Sequence, residues 1–279
     1  MLGIGLALLA SIAWGFGDFI GGSKSRVLPV LVVLVCSQLV GLVCIAAIAV
    51  VAQESPPGSR EIAMAALSAV AGTAGLVCFF RAIAIGTMSL VVPIAATASI
   101  VPVVVGIATG DRPSAVQLAG MVVALAGAVM ASREPGTAEQ PARLASGVLL
   151  AALSAVFIGF FFLTIDVASD GGAIWASLVN RITSVSLLLV AALIVRPRLS
   201  AARPHAGALA LAGTLDVSAN LLFAAATTVG LVSLVSVAGS LYPILTVLLA
   251  RFVLREQVHR IQEAGVVTAL CGIILIAAG

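Results

Sequence analysis

Ten apolar runs constrain this chain more than any other feature, each near the ~20 residues that a helix needs to cross a bilayer. They cover residues 2–21, 28–51, 62–85, 88–109, 115–132, 144–168, 173–195, 206–229, 231–252 and 261–278. The short connections between them hold most of the charged and turn-forming residues. Only 9% of the 279 residues are charged, against 62% apolar. A soluble domain carries about 25% charge, because its surface must face water. The shortage excludes a water-soluble globular enzyme and predicts an all-α polytopic membrane protein with ten transmembrane helices. Small residues are plentiful, as suits helices that pack closely in lipid. The first run has neither a positive leading region nor a cleavage box, so it is expected to be the first span and not a cleaved leader.

Other classes lose support from the same inventory. Cys36, Cys44, Cys78 and Cys271 fall inside apolar runs at spacings that fit no zinc pattern. His205 and His259 are far apart, so no metal site and no cofactor are expected. No basic cluster is interleaved with aromatics, which leaves nucleic-acid binding without a footprint. No phosphate-binding loop of the Walker type is present, so direct ATP drive has no support.

The longest polar segment, residues 133–143, divides the chain almost in half. It is read as a linker between a first five-helix unit, 1–132, and a second, 144–279. A shift of 144 places Gly15 and Phe16 over Gly159 and Phe160. The same shift puts Phe79, Ala82, Gly86, Ser89 and Leu90 over Phe223, Ala226, Gly230, Ser233 and Leu234. A shift of 145 aligns Gln117 and Gly120 with Gln262 and Gly265, and Gly127 with Gly272. Because five is odd, the second repeat must lie in the membrane in the opposite orientation. Inverted repeats with a site between them at mid-depth recur among secondary transporters.

With these residues in view, the chain resembles the ten-span EamA-like branch of the drug/metabolite transporter superfamily. The resemblance rests on Trp14-Gly15 with Lys24 beyond, and on the run from Phe80 and Arg81 to Gly86 leading to Pro93 and Pro102. It continues with Gly110-Asp111 before span five, the stretch from Gly239 through Tyr242 and Pro243 to Arg251, and Glu256 to His259. Arg255 stands where the family usually has Gly. Gln38 stands where span two often carries Arg, a position that Arg181 fills in the second repeat. The resemblance implies export of small metabolites, amino acids or drug-like compounds from the bacterial inner membrane, without naming one.

Ionisable residues at bilayer depth cost about 2.5–3.5 kcal/mol each even on lenient insertion scales, so each needs a partner or a wet cavity. Arg181 and Asp216 lie near the middle of spans seven and eight. They are read as substrate-binding residues, with a fixed ion pair between helices as the other reading. Asn220 shares the polar face of span eight with Asp216, one turn away. Asp18 and Arg81 sit at matched depths in spans one and three and suggest a gate pair, unless each reaches the headgroups separately. Asp18 and Asp216 are the candidates for proton coupling. Trp14 and Tyr242 are candidates for the wall of a substrate cavity, or for packing. Asp166 and Asp170 are expected at the interface, where water reaches them. Pro93, Pro102 and Pro243 free backbone carbonyls within spans four and nine and allow bending. The glycines seven apart in spans five and ten assign those spans to scaffolding.

Two rivals share parts of this pattern. Gly15-Phe-Gly-Asp18 has the Gly-x-Gly-Asp form of intramembrane aspartyl proteases, which need a second carboxylate to share a proton. A passive channel needs only a polar path, but paired charges in two related halves favour alternating access. Expected partners are therefore the lipid bilayer, a small-molecule substrate, and a proton or counter-substrate, with the chain acting as a monomer. Loop charges point both termini outward by the positive-inside rule, whereas the resemblance implies termini inside.

Overall fold

The computed structural model describes residues 1–86, 91–92, 94–95, 97–131, 141–254 and 260–278. Everything regular among them is helical. The helices are α1 (Leu2–Ser25), α2 (Val30–Ala52), α3 (Ser59–Ile85), α4 (Ile100–Thr109), α5 (Ala115–Ala131) and α6 (Pro141–Ser169). Then follow α7 (Ala173–Val195), α8 (Ala206–Thr227), α9 (Val232–Gly239), α10 (Tyr242–Leu254) and α11 (Arg260–Ala278). Short 3₁₀ turns, Thr97–Ser99 and Leu199–His205, precede α4 and α8.

Six helical segments are long and apolar enough to cross a membrane: α1, α2, α3, Ser146–Ser169 within α6, α7, and Leu199–Thr227 containing α8. Shorter apolar helical stretches stand at Thr97–Thr109, Ala115–Gly127 and Val232–Thr246. Span nine is interrupted at Ser240 and Leu241, so α9 ends and α10 begins anew. Pro243 is the second residue of α10, where a missing N–H costs nothing because that group has no intrahelical acceptor. Span four shows the same construction, with the 3₁₀ turn at Thr97–Ser99 ahead of α4 and Pro102 in its first turn. The two interruptions sit at matching places in the two repeats. Pro93, Ser89, Leu90, Arg255, Glu256, His259 and residues 133–140 of the expected linker lie outside the described residues.

Repeat symmetry extends to the packing. The main helix pairs are α1 with α8, α3 with α6, α2 with α8, α3 with α7, α2 with α7, and α5 with α11. Exchanging the repeats turns α1·α8 into α6·α3 and α2·α8 into α7·α3, and maps the last two pairs onto themselves. Even the helix ends correspond. Gln53 closes α2 and Arg196 closes α7 in the left-handed region, with φ of 48° and 52°. The α5·α11 pair carries the expected glycine stripe, since a Cβ at Gly272 would collide with the Ala124 backbone and lie 2.7 Å from the Gly120 carbonyl. Among the described residues, neither helix contributes to the lining of the central space.

Candidate transport site

The crossing of α2 and α8 brings the deepest charges together. Gly213 makes it possible, because any Cβ there would collide with the backbone of Ser37. Next to this crossing Gly41 packs against the Arg181 guanidinium, a Cβ at that position falling 3.4 Å from Cζ and from Nε. Arg181 therefore reaches from α7 to both helices. Its Nη1 donates to Asp216 Oδ2 at 2.7 Å and also to Gln38 Oε1. Gln38 Nε2 in turn donates to Asp216 Oδ2 at 3.0 Å. Three residues from three helices thus form a closed cluster. Arg181 is 2% exposed and Asp216 17%.

Removal of a charge from water costs several kcal/mol, and only close pairing with hydrogen bonds repays it. The Arg181–Asp216 pair has both. It leaves part of the arginine unused: Nε and Nη2 are buried and find no acceptor among the described residues. Neutral polar groups stand beside it. Asn180 Nδ2 donates to Ser68 Oγ at 2.7 Å, linking α7 to α3.

The cluster forms one wall of a cavity of about 540 Å³, counted out to its mouth. Trp14, Asp18, Asn180, Asn220 and Tyr242 line the same space. A second cavity of about 280 Å³ adjoins it. Asp18, Gln38, Leu76 and Asp216 line both, so they form the partition between the two. The smaller cavity extends toward the C-terminal ends of α1 and α3. There the Phe80 ring lies against Gly21, where a Cβ would stand 2.5 Å from Cζ. Glycine at 21 and phenylalanine at 80 together close that end tightly.

On the far side of the partition, Trp14 is the hub of an aromatic group. Its ring centroid lies 5.9 Å from Phe162, 5.5 Å from Phe223, and 6.4 Å from each of Phe161 and Tyr242. Tyr242 is held there by α10 packing on α1. Thr246 Oγ1 donates to the carbonyls of Gly15 and Tyr242 at 3.2 and 3.1 Å. The aromatic residues thus both pack and line the cavity, since Trp14 and Tyr242 are largely buried yet border the open space.

The structure brings together Trp14, Asp18, Arg181, Asp216, Asn220 and Tyr242. It does not bring Arg81 to them. Arg81 is exposed on α3, no ion pair joins it to Asp18, and it borders neither cavity. Helix geometry is the reason. Thr73, Leu76 and Phe80 face inward at 3–4 spacing, and residue 81 is rotated ~100° from 80. A match in reckoned depth along two helices carries no information about azimuth. Asp166 is half-buried and Asp170 exposed at the end of α6.

Two participants go beyond the residues expected from sequence. Gln38 stood out as a departure from the family pattern, and it proves to be a hydrogen-bonding member of the cluster. Asp111 acts at a distance from the cavity, with Oδ2 accepting the Ser233 backbone N–H at 3.1 Å. It thereby caps the N-terminus of α9 from the loop of the other repeat.

Among known proteins, the model of the EamA-like transporter family matches residues 1–133 and again 145–278. No curated protein matches the chain. A solved structure titled only "Crystal structure of protein" shares the fold, with a TM-score of 0.75 at 15% identity over 98% of this chain and 95% of that one. Two matches of a transporter family, laid end to end over the two repeats, agree with the packing symmetry and with the cavity between them. The chain is a multi-pass membrane protein and belongs to the EamA-like transporter family, within the drug/metabolite transporter superfamily.

Proposed function

We propose that this protein is a secondary carrier, not driven by ATP, that exports a small metabolite from the bacterial inner membrane by alternating access. Its ten spans would form two inverted five-helix halves with the substrate held in the central cavity. The carrying observation is the Gln38–Arg181–Asp216 cluster, where helices of both repeats meet at the cavity wall. Ionisable residues within apolar spans are rare and mark substrate or ion pathways. The discontinuous fourth span of each repeat supports the reading, since broken helices are where such carriers bind and bend.

The interrupted path favours a carrier over a channel. Polar space on one side of the partition is separated from the Phe80–Gly21 closure on the other. The aspartyl protease reading loses ground for a different reason. Asp216 shares the cavity with Asp18, but Arg181 and Gln38 already occupy it, so it is not a free carboxylate able to share a proton.

Asp18 and Asp216 are the residues proposed for coupling to a proton. The test starts with a comparison of metabolites in media from cells with and without the protein, which names the solute. Uptake of that solute into proteoliposomes under an imposed pH gradient then follows. Asp18→Asn and Asp216→Asn should each abolish uphill transport and flatten its pH dependence. Unchanged accumulation in both variants would sink the coupling proposal, and turnover far beyond carrier rates would favour a channel.

A further inference from the structure

The two cavities stop short of one face of the membrane. On the side where α3 and α7 begin, no described residue before Gly72 on α3 or before Asn180 on α7 lines either of them. The helix ends beyond those residues are packed shut. Ala65, Ser68 and Ala69 on α3, with Ala176 and Ser177 on α7, are at most 2% exposed. Asn180 Nδ2 crosses from one helix to Ser68 Oγ on the other, at 2.7 Å. Thr73 and Asn180 border the cavity at the inner end of this seam. Its two helices come from different repeats, so the seam joins the halves between the cavity and that face.

The seam is polar where a permanent seal would be apolar. Ser177 stands one turn from Asn180 on α7 and so shares its face. Its hydroxyl is buried and finds no hydrogen-bond partner among the described residues. Thr73 Oγ1, at the cavity end, is in the same condition. A buried hydroxyl without a partner gives up its hydration and gains nothing in return. Water entering between the helices would supply both missing partners, and would satisfy Ser68 and Asn180 as they separate. The closure of α1 on α8 is built otherwise. There Gly3 lies against backbone, a Cβ on it falling 3.1 Å from the Ala226 carbonyl and from Gly230 Cα. Mates of the seam in the other half are apolar too: Leu209 and Ala212 for Ala65 and Ser68 at an offset of 144, and Leu34 for Ser177 at 143.

Two loops tie the outer end of the seam. Gly171, in the α6–α7 connection, packs so closely on the α2–α3 connection that a Cβ there would stand 2.5 Å from Pro57 Cβ and 3.0 Å from Glu61 Cβ. Gly172 follows with φ of 101°, a backbone conformation that favours glycine, and a Cβ on it would lie 3.1 Å from Glu54 Oε2. Trp175 Nε1 donates to the Glu54 carbonyl at 3.1 Å. One hydrogen bond and two glycines thus couple loops of opposite repeats over the seam. No ion pair among the described residues reinforces them.

Building on the reading of this protein as a carrier, we propose that the α3–α7 seam is the gate between the cavity and this face of the membrane, and that the paired loops are the latch holding it shut. The latch gives way at the Trp175–Glu54 bond and the Gly171 contact. The helices then part from Ser177 inward, and water replaces the bond between Asn180 and Ser68. The apolar crossing of α2 and α8, where Gly213 admits Ser37, stays closed meanwhile.

Thiol accessibility reads the gate, in a protein whose four native cysteines are replaced by alanine. Ser177→Cys is added, and the purified protein in nanodiscs is treated with trimethylammonioethyl methanethiosulfonate, which reacts only where water reaches. Slow modification is expected. Gly171→Val overfills the latch and should speed it about tenfold or more. Trp175→Phe removes only the indole donor and should speed it about fivefold, the worth of one hydrogen bond. It carries the comparison if Gly171→Val does not fold. Val33→Cys, fully buried on α2 at the mate of Ala176, should stay unreactive throughout. Equal acceleration at 177 and 33 would mean general loosening and overturn the gate, as would a rate at 177 indifferent to both latch substitutions. Pro57→Cys with Gly171→Cys supplies the opposite change, since the loops need part by only about 1 Å to accept a disulfide. Oxidation should stop flux of the exported solute, and reduction should restore it. Flux that persists through the locked latch sinks the gate and leaves the carrier reading intact. A latch-controlled rate at 177, with no solute distinguishing media of cells with and without the protein, does the reverse.

Discussion

The two repeats meet at one cavity but furnish it differently. Positions 144 apart face the same space: Trp14 and Ile158, Asp18 and Phe162, Gly72 and Asp216, Leu76 and Asn220. At an offset of 143, Gln38 and Arg181 touch one another. The backbone repeats while the chemistry does not. The second repeat supplies the ion pair and Asn220, and the first supplies Asp18, Gln38 and small or apolar neighbours. Duplication therefore accounts for the shape of the site, and divergence at a handful of positions accounts for its charge. A direct contact between repeat mates places Gln38 and Arg181 near the axis relating the halves, where two arginines would have repelled each other.

The largest expected effect breaks this asymmetry at its centre. Arg181→Leu leaves Asp216 buried without its cation and should cost about 3–5 kcal/mol of stability, together with transport. Gln38→Ala removes only a neutral hydrogen-bonding partner and should cost about 1–3 kcal/mol. If the halves are interchangeable in geometry, the double exchange Gln38→Arg with Arg181→Gln should recover most of the loss. Thermal unfolding of purified variants in detergent, read beside flux, checks all three. Equal effects of the two single changes would show that charge placement is not the distinguishing feature.

A second, smaller contrast lies in the helix crossings. Gly213 meets the Ser37 backbone with no room for a methyl group, while its repeat mate Ala69 carries a fully buried methyl. Gly213→Ala should cost several-fold more stability than Ala69→Gly, which is expected near ~1 kcal/mol. The Cys44 thiol 3.8 Å from Thr214 Oγ1 offers a local readout of the same crossing, through its alkylation rate before and after Gly213→Ala.

The smallest expected effect concerns the cap. Asp111 accepts from the first turn of α9, and Asp111→Ala should cost about 1 kcal/mol. Asp111→Asn keeps an acceptor and should cost less. Differential scanning fluorimetry of both variants resolves this ordering. A loss for Asp111→Asn equal to that for Asp111→Ala would mean that the carboxylate charge, and not hydrogen bonding, holds α9.

Much of the fold was legible because lipid demands it. Apolar runs of fixed length, interrupted by short polar connections, leave helices as the only way to satisfy backbone groups. The repeat was legible because small residues recur where helices touch, as at Gly120 and Gly272. Arg181 and Asp216 could be singled out by depth alone, since charge in the middle of an apolar run has few explanations. Their bonding could not, nor could the inclusion of Gln38, because an uncharged side chain gives no comparable signal. Arg81 shows the opposite limit. Counting along the spans paired it with Asp18, but it is exposed on α3 and borders neither cavity.

By itself, then, the amino-acid order determined the all-helical membrane architecture, the two repeats and the short set of costly charges. Each follows from one-dimensional quantities: hydropathy, length and periodicity. Only the tertiary structure decided which of those charges share a cavity, that span nine is broken before Pro243, and that the ion pair closes on Gln38. Those outcomes depend on the rotation of each helix about its axis and on how closely neighbouring backbones approach. Such quantities are settled by packing between segments far apart in the chain, as where Gly213 admits Ser37.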